Sequence, residues 1–219
     1  MSEYIAQAGY TNLEEYTKDK AEYILHHTDF TIKQEKIVTS NVILPFIVKR
    51  KPAFLWMIEN NGNYAFVPTN FNKYDKLAKY NINAVKMGYD AKNGIIITSN
   101  GDLRICILID YSLNIDIDYF LFKCKDYLEQ FFDNVKLDNN DILINDKKVI
   151  GSATIHKNNM KCFMFQISYN NNYDIIRDIC GKSVKEPGYI DMNIIPQEKL
   201  KDEFIKWLQF FEVMYYINR

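Results

Sequence analysis

The sequence predicts an α+β fold, with a mixed or antiparallel sheet flanked by helices. Three observations carry this. Short β-branched runs separated by turn residues dominate the middle of the chain. The stretch 115–132 repeats apolar residues at three and four, as a helix covering one sheet face does. A second long helical pattern, 197–217, closes the chain.

The elements follow in order. Residues 12–25 place Leu13, Tyr16, Tyr23 and Ile24 on one helical face, with Thr11 as a cap. The runs 43–48 and 53–58, interrupted by Pro45 and by Lys49-Arg50-Lys51-Pro52, are strands joined by a basic turn. Turn residues at 59–63 lead to a strand at 64–67, and 73–80 has helical spacing. The apolar runs 84–87, 95–98 and 103–109 form the centre of the sheet. After the helix at 115–132, which Asp116 and Asp118 begin, comes a hairpin. Its strand 142–144 ends at Asn145-Asp146, and Val149-Ile150 begin the return. Strands at 153–155 and 160–168, a short helix at 173–179 and the terminal helix complete the chain.

With 219 residues, one domain is the simplest organisation: 1–50 reads as a divergent N-terminal extension and 197–219 as the C-terminal helix. Twenty-seven basic residues against 28 acidic ones give a net charge of −1, which supplies no bulk attraction to nucleic acid or anionic membrane. The four cysteines (106, 124, 162, 180) form no CxxC pair, so neither zinc nor a disulfide framework is expected, and a reducing cytoplasm fits. His26, His27 and His156 lack a second ligand at i+3 or i+4, so no metal site is expected. No run is apolar enough to span a membrane. The abundance of Asn, Ile, Lys and Tyr is that of an AT-rich genome.

The hairpin carries the chemistry. Lys148-Val149-Ile150-Gly151-Ser152-Ala153 resembles the Lys-x-x-Gly-Ser-Ala motif of lipoate-protein ligases and octanoyltransferases, which share the biotinyl/lipoyl ligase, class II synthetase-like fold. Phe54-Leu55-Trp56 upstream, a polar loop with Asn70, a helix and a glycine loop follow the same order, so the resemblance covers roughly residues 52 to 195. It implies activation of a lipoyl or octanoyl acid with ATP and Mg2+, then transfer to a lysine of a carrier-protein domain. Lys148 would stabilise charge, Gly151 would let the backbone approach the ligand, and Ser152 would donate a hydrogen bond. Gly94, Asn70 and Lys86 would line the pocket.

The chain also departs from the family. Where the family has an arginine and a glycine run, this sequence reads Lys86-Met87-Gly88-Tyr89-Asp90-Ala91-Lys92-Asn93-Gly94, with Lys86 or Lys92 as candidate substitutes for the arginine. Cys162-Phe163-Met164-Phe165-Gln166 stands where the family has a His-Gly-Thr-like step, and its bulky residues are expected to narrow or fill the acyl tunnel, with Phe163, Phe165 or Tyr89 as the rings that could plug it. Two alternatives stay open: an inactive descendant serving as a binding or structural subunit of a protein assembly, viral or other, and a thioester route through Cys180, whose Cys-Gly step resembles that of octanoyltransferases. A Lys-Lys pair after an Asn-Asp turn also fits a solvated hairpin tip, and Cys180 a small core residue.

Overall fold

The computed structural model describes residues 38–48, 51–60, 62–68, 70–86, 95–157, 159–170, 173–181 and 185–217. The expected helix at 12–25, His26, His27 and the loop 87–94 lie outside the described residues.

Ten strands and four helices are described. They are β1 (Val38–Val48), β2 (Lys51–Asn60), β3 (Tyr64–Val67), α1 (Tyr74–Lys79), β4 (Asn83–Lys86), β5 (Ile96–Thr98), β6 (Leu103–Asp110) and α2 (Ile117–Leu128). β7 (Val135–Asp138), β8 (Asp141–Ile144), β9 (Lys147–Lys157), β10 (Met160–Ile167), α3 (Tyr173–Cys180) and α4 (Gln197–Ile217) follow. Seven strands form an antiparallel sheet ordered β1-β2-β6-β10-β9-β8-β7. Pro45 lies on the edge strand β1, where its missing N–H costs no ladder bond to a second neighbour. The fold is α+β, as expected.

One expectation is corrected. Of the three runs read as the sheet centre, only β6 is central. β4 and β5 flank β3 in a separate three-stranded sheet. The reason is connectivity: β3 reaches its parallel partner β4 through the helical crossover α1, and strands of four and three residues leave this sheet small.

Strand alternation divides the large sheet into two faces. Odd-numbered residues of β2, β6 and β10, among them Leu55, Ile105, Ile107, Phe163 and Phe165, pack against α2 and α4 in the main core. α2 contributes Ile117, Phe120, Leu121, Cys124 and Leu128, the three-four spacing of an amphipathic helix. Its N-cap Asp116 accepts the Ile117 N–H at 2.6 Å. α4 contributes Leu200, Phe204 and Leu208, with the Phe204 ring 5.2 Å from that of Phe165. Among the described residues no helix is long and apolar enough to cross a membrane.

The opposite face meets the small sheet. Arg104 lies over the Phe66 ring and Gln166 bonds Thr98 there, while Ala65 and Val67 on the small sheet's other face form a second core with Leu77, Ile82 and Ile179 beside α1 and α3. Lys73, at the N-cap of α1, and Lys79 within it hold the C-terminal end of α3: Lys73 Nζ donates to the Ile179 carbonyl at 3.0 Å and Lys79 pairs with Asp178 at 3.0 Å. Tyr80 Oη also donates to Asp178, at 2.8 Å, and these partners hold the carboxyl well below the usual range.

Asp102 fastens the two halves. It is 3% exposed and accepts the N–H groups of Ser99 and Tyr169, each at 2.8 Å, tying the β5–β6 turn to the segment between β10 and α3. Burial pushes its carboxyl up to about 6, against the opposing pull of those N–H groups and of Arg104. The folded state therefore binds a proton that the unfolded chain has released between the ordinary value of 3.8 and about 6. This contribution to stability is fully present below the unfolded value and is lost as pH rises through about 6. The stability advantage of wild type over Asp102→Asn is expected to shrink by about 2–3 kcal/mol between pH 4 and pH 7. Urea titrations at the two pH values measure it, and an unchanged difference would show that the carboxyl stays ionised throughout.

Candidate functional site

The β8–β9 turn explains how the lysine is delivered. Asn145 and Asp146 both have positive φ, 51° and 63°, the pair of left-handed residues that a two-residue type I′ hairpin requires and that Asn and Asp tolerate best after glycine. Lys147 and Lys148 follow directly on β9. The Lys148 backbone is clamped from its other side, its N–H donating to Glu186 O at 2.8 Å and its carbonyl accepting the Gly188 N–H at 2.7 Å. Gly188 has to be bare: an added Cβ would come within 2.8 Å of Lys147 Cβ.

The Lys148 side chain runs back across Gly151. A Cβ on Gly151 would sit 2.8 Å from Lys148 Cε and 2.9 Å from Nζ. The bare Cα therefore makes room for the lysine side chain. Gly151→Ala is expected to swing the amine away at little cost, because the obstructed atoms end a flexible chain. Thermal melting should move by only a few degrees, while ligand affinity at Lys148 falls about tenfold. Calorimetry on both proteins checks this; unchanged affinity would show that the amine does not need its place above Gly151.

Nζ of Lys148 lies 2.8 Å from Asp141 Oδ1. The other oxygen of Asp141 is 2.9 Å from Lys185 Nζ, which also pairs with Asp138 at 2.8 Å. Burial depresses the Lys185 amine but these two carboxylates outweigh it, and its pKa is raised overall.

These groups line a cavity of about 370 Å3 between the large sheet and the small one. Its walls carry Ile95, Ile96 and Ile97 from the small-sheet side, Val149, Ala153 and Met164 from the large sheet, and Ile176 from α3. Its polar lining comprises Arg104, Asp141, Lys148, Ser152, Gln166, Ser168 and Lys185. That volume lies in the range of small-molecule sites. No aromatic ring is among the described lining residues. Phe163 and Phe165 do not narrow the cavity as expected: they face α2 and α4, and their neighbours Met164 and Gln166 face inward. The parity of β10 decides this, since every second residue turns to the other face.

The other candidates are placed as follows. Ser152 lines the cavity, but its Oγ donates to the Asn140 carbonyl at 2.8 Å, so its proton is engaged within the hairpin. Cys180 lines the same cavity as Lys148. Burial pushes its thiol up, with Lys73 pulling the other way, which is the opposite of an activated thiolate. Asn70 sits in an exposed turn before α1 and does not line the cavity. Lys86 ends β4, its side chain outside the described residues, as are Gly94, Lys92 and Tyr89. Cys106, Cys124 and Cys162 are buried.

Sequence reasoning missed Arg104, Gln166, Asp141 and Lys185. Arg104 had a signal: it is the one charge within the apolar run 103–109. So had Gln166, the one polar residue within 162–167, whereas Asp141 and Lys185 had none, being polar residues in polar neighbourhoods.

No family model matches the sequence, and no curated protein matches it. Solved structures do match. The fold is similar to P. falciparum LipL1 in complex with lipoate, with a TM-score of 0.56 and 20% identity over 75% of this chain, which spans about half (48%) of the length of that protein. It is similar to the bi-partite lipoate protein ligase of Thermoplasma acidophilum, whose structure was determined in a study of that enzyme and its E2 lipoyl domain (TM-score 0.53, 12% identity, 69% of this chain and 68% of that one). Lipoate-protein ligase A bound with ATP gives 0.50 and 11% identity over 68% of this chain and 69% of that one. At these identities the likeness is one of architecture, and it agrees with the topology described above: the chain has the lipoate-protein ligase fold.

Proposed function

We propose that the chain is a lipoate-protein ligase-like acyltransferase, in which a medium-length acyl acid of the lipoyl or octanoyl type binds in the cavity with its carboxylate toward Lys148. The observation that carries this is the pairing, in one cavity, of an apolar isoleucine wall with a fixed ammonium group at its polar side.

The chemistry explains why such a pairing is useful. An acyl carboxylate oxygen must bond to the α-phosphorus of ATP while pyrophosphate leaves, although both partners are anionic. Two unit charges 4 Å apart repel by about 4 kcal/mol at an effective dielectric of 20, and a nearby ammonium offsets a cost of that order. Lys148 supplies it, with Lys185 adjacent. In the second half-reaction the amine of an acceptor lysine on a carrier domain attacks the acyl carbon, AMP departs with the C–O electron pair, and the amine releases a proton to solvent. Lys148 would steady the departing phosphate.

Magnesium fits only as a phosphate-held ion. Among the described residues no cluster of three or more His, Cys, Asp or Glu side chains could hold a metal, and Asp141 is the single carboxylate on the cavity wall. Mg2+ commonly binds through one or two carboxylates plus phosphate oxygens and water, and its role would be to neutralise phosphate charge.

The thioester route gains support from Cys180 sharing the cavity, and loses it to the raised thiol pKa. The test is calorimetry of the wild-type chain with octanoate, lipoate, ATP-magnesium and a non-hydrolysable acyl-adenylate analogue. Binding of the acid and the adenylate supports the ligase reading. Failure of all four favours a binding or structural subunit. A covalent octanoyl adduct lost in Cys180→Ser would move the reaction to the thioester route.

A further inference from the structure

Three sulfur-bearing side chains meet on the sheet face opposite the main core, and the acyl chemistry gives none of them a role. Cys106 on β6 and Cys162 and Met164 on β10 are 1%, 5% and 6% exposed. Register brings them together: Met164 pairs directly with Cys106, and Cys162, two residues along β10, is the diagonal neighbour of Cys106. All three share one face, because the odd-numbered residues between them, Ile105, Ile107, Phe163 and Phe165, fill the core on the other. The two thiols are hydrogen-bonded to each other.

A disulfide does not suit this pair. Diagonal neighbours in an antiparallel sheet stand about 7–8 Å apart, more than a disulfide ordinarily spans between Cα atoms. A metal ion suits it better, since bonds of about 2.3 Å to each sulfur bridge two touching thiols without drawing the strands together. Thiolate and thioether are soft ligands and select copper(I). Structural zinc calls for four ligands, and among the described residues no third His, Cys, Asp or Glu joins the pair. The charge of Arg104, two residues from Cys106 on the same face, acts on the Cys106 thiol and favours anionic sulfur there. Met164 also lines the cavity, which gives an ion its way in.

We infer that Cys106, Cys162 and Met164 form a binding site for one copper(I) ion, held by two thiolates and a thioether. On binding, each thiol S–H bond gives its proton to solvent as a copper–sulfur bond forms. Copper keeps its +1 state, so no oxidant or reductant takes part. The site is distinct from Lys148 and does not depend on the acyl-acid reading of the cavity.

The experiment titrates the reduced full chain, without oxygen, with copper(I) supplied as its bicinchoninate complex. Trp56 pairs with Cys106 across β2 and β6, so its fluorescence should fall as the ion binds; Trp207, the second tryptophan, lies in the core on the other face. Wild type should take one equivalent from the competitor. Cys106→Ala and Cys162→Ala should each weaken binding on the order of 100-fold and Met164→Leu about tenfold. Cys124→Ala, in the α2 face of the main core, should bind as wild type does. X-ray absorption at the copper edge should count three sulfur neighbours. Copper left on the competitor, nitrogen or oxygen neighbours in the spectrum, or unchanged affinity in a folded Cys162→Ala variant each overturn the inference. Binding lost in Cys180→Ala alone assigns the ion to the cavity thiol and also overturns it. Should the alanine variants fail to fold, the wild-type spectrum and Met164→Leu still decide.

Discussion

Replacing Lys148 with alanine is expected to weaken binding of an acyl-adenylate analogue on the order of 100-fold while leaving the protein folded. The loss is that of a charge-assisted contact to an anion in a partly enclosed site, about 2–4 kcal/mol. Stability should scarcely change, for three reasons. The backbone bonds at position 148, to Glu186 and from Gly188, survive in alanine. Asp141 retains Lys185 at 2.9 Å. The lost ion pair involves an amine 40% exposed and so contributes less than about 1 kcal/mol. Calorimetry and thermal melting on one preparation check both halves. Unchanged affinity in a folded variant would show that the ligand does not meet this amine.

Asp102→Ala is expected to have the largest effect on stability, about 3–5 kcal/mol, with melting lowered by roughly 10 °C. The carboxylate serves the N–H groups of Ser99 and Tyr169, and alanine provides no acceptor for either. Nothing small can substitute, because the position is 3% exposed and water would have to be buried to replace the oxygens. Asn60, whose side-chain amide donates to the Asp102 carbonyl at 3.0 Å, should keep the β5–β6 turn in place, so damage concentrates where Tyr169 leads toward α3. Hydrogen exchange would locate it: faster exchange at 169 and along α3, with β6 unaffected. Uniform acceleration throughout would mean that Asp102 holds the whole sheet rather than one junction.

What was legible in the sequence follows from how local each determinant is. The Asn145-Asp146 turn is a two-residue signal and forms as expected, so the neighbourhood of Lys148 could be read directly. The helix around 115–132 declares itself through Phe120, Leu121, Cys124 and Leu128, and the structure trims it to 117–128 because Asp116 caps it. Face assignment on β10 was not legible. Cys162, Phe163, Met164 and Phe165 are all buried, so neither alternation nor size marks which side holds the cavity; only pairing with β6 and β9 does. The same limit hid the small sheet, since nothing local distinguishes 84–87 and 95–98 from strands of the large one. The row Arg104–Gln166–Gly151–Asp141 joins residues up to 62 positions apart, a relation visible only after the strands are paired.

Asp141, gripping Lys148 with one oxygen and Lys185 with the other, has a kinetic meaning. An incoming anion can draw the Lys148 amine toward itself without stranding a naked carboxylate, since the second lysine inherits it. Entry is then an exchange of partners instead of a rupture, and its rate should respond to added salt less steeply than three neighbouring cations alone would suggest.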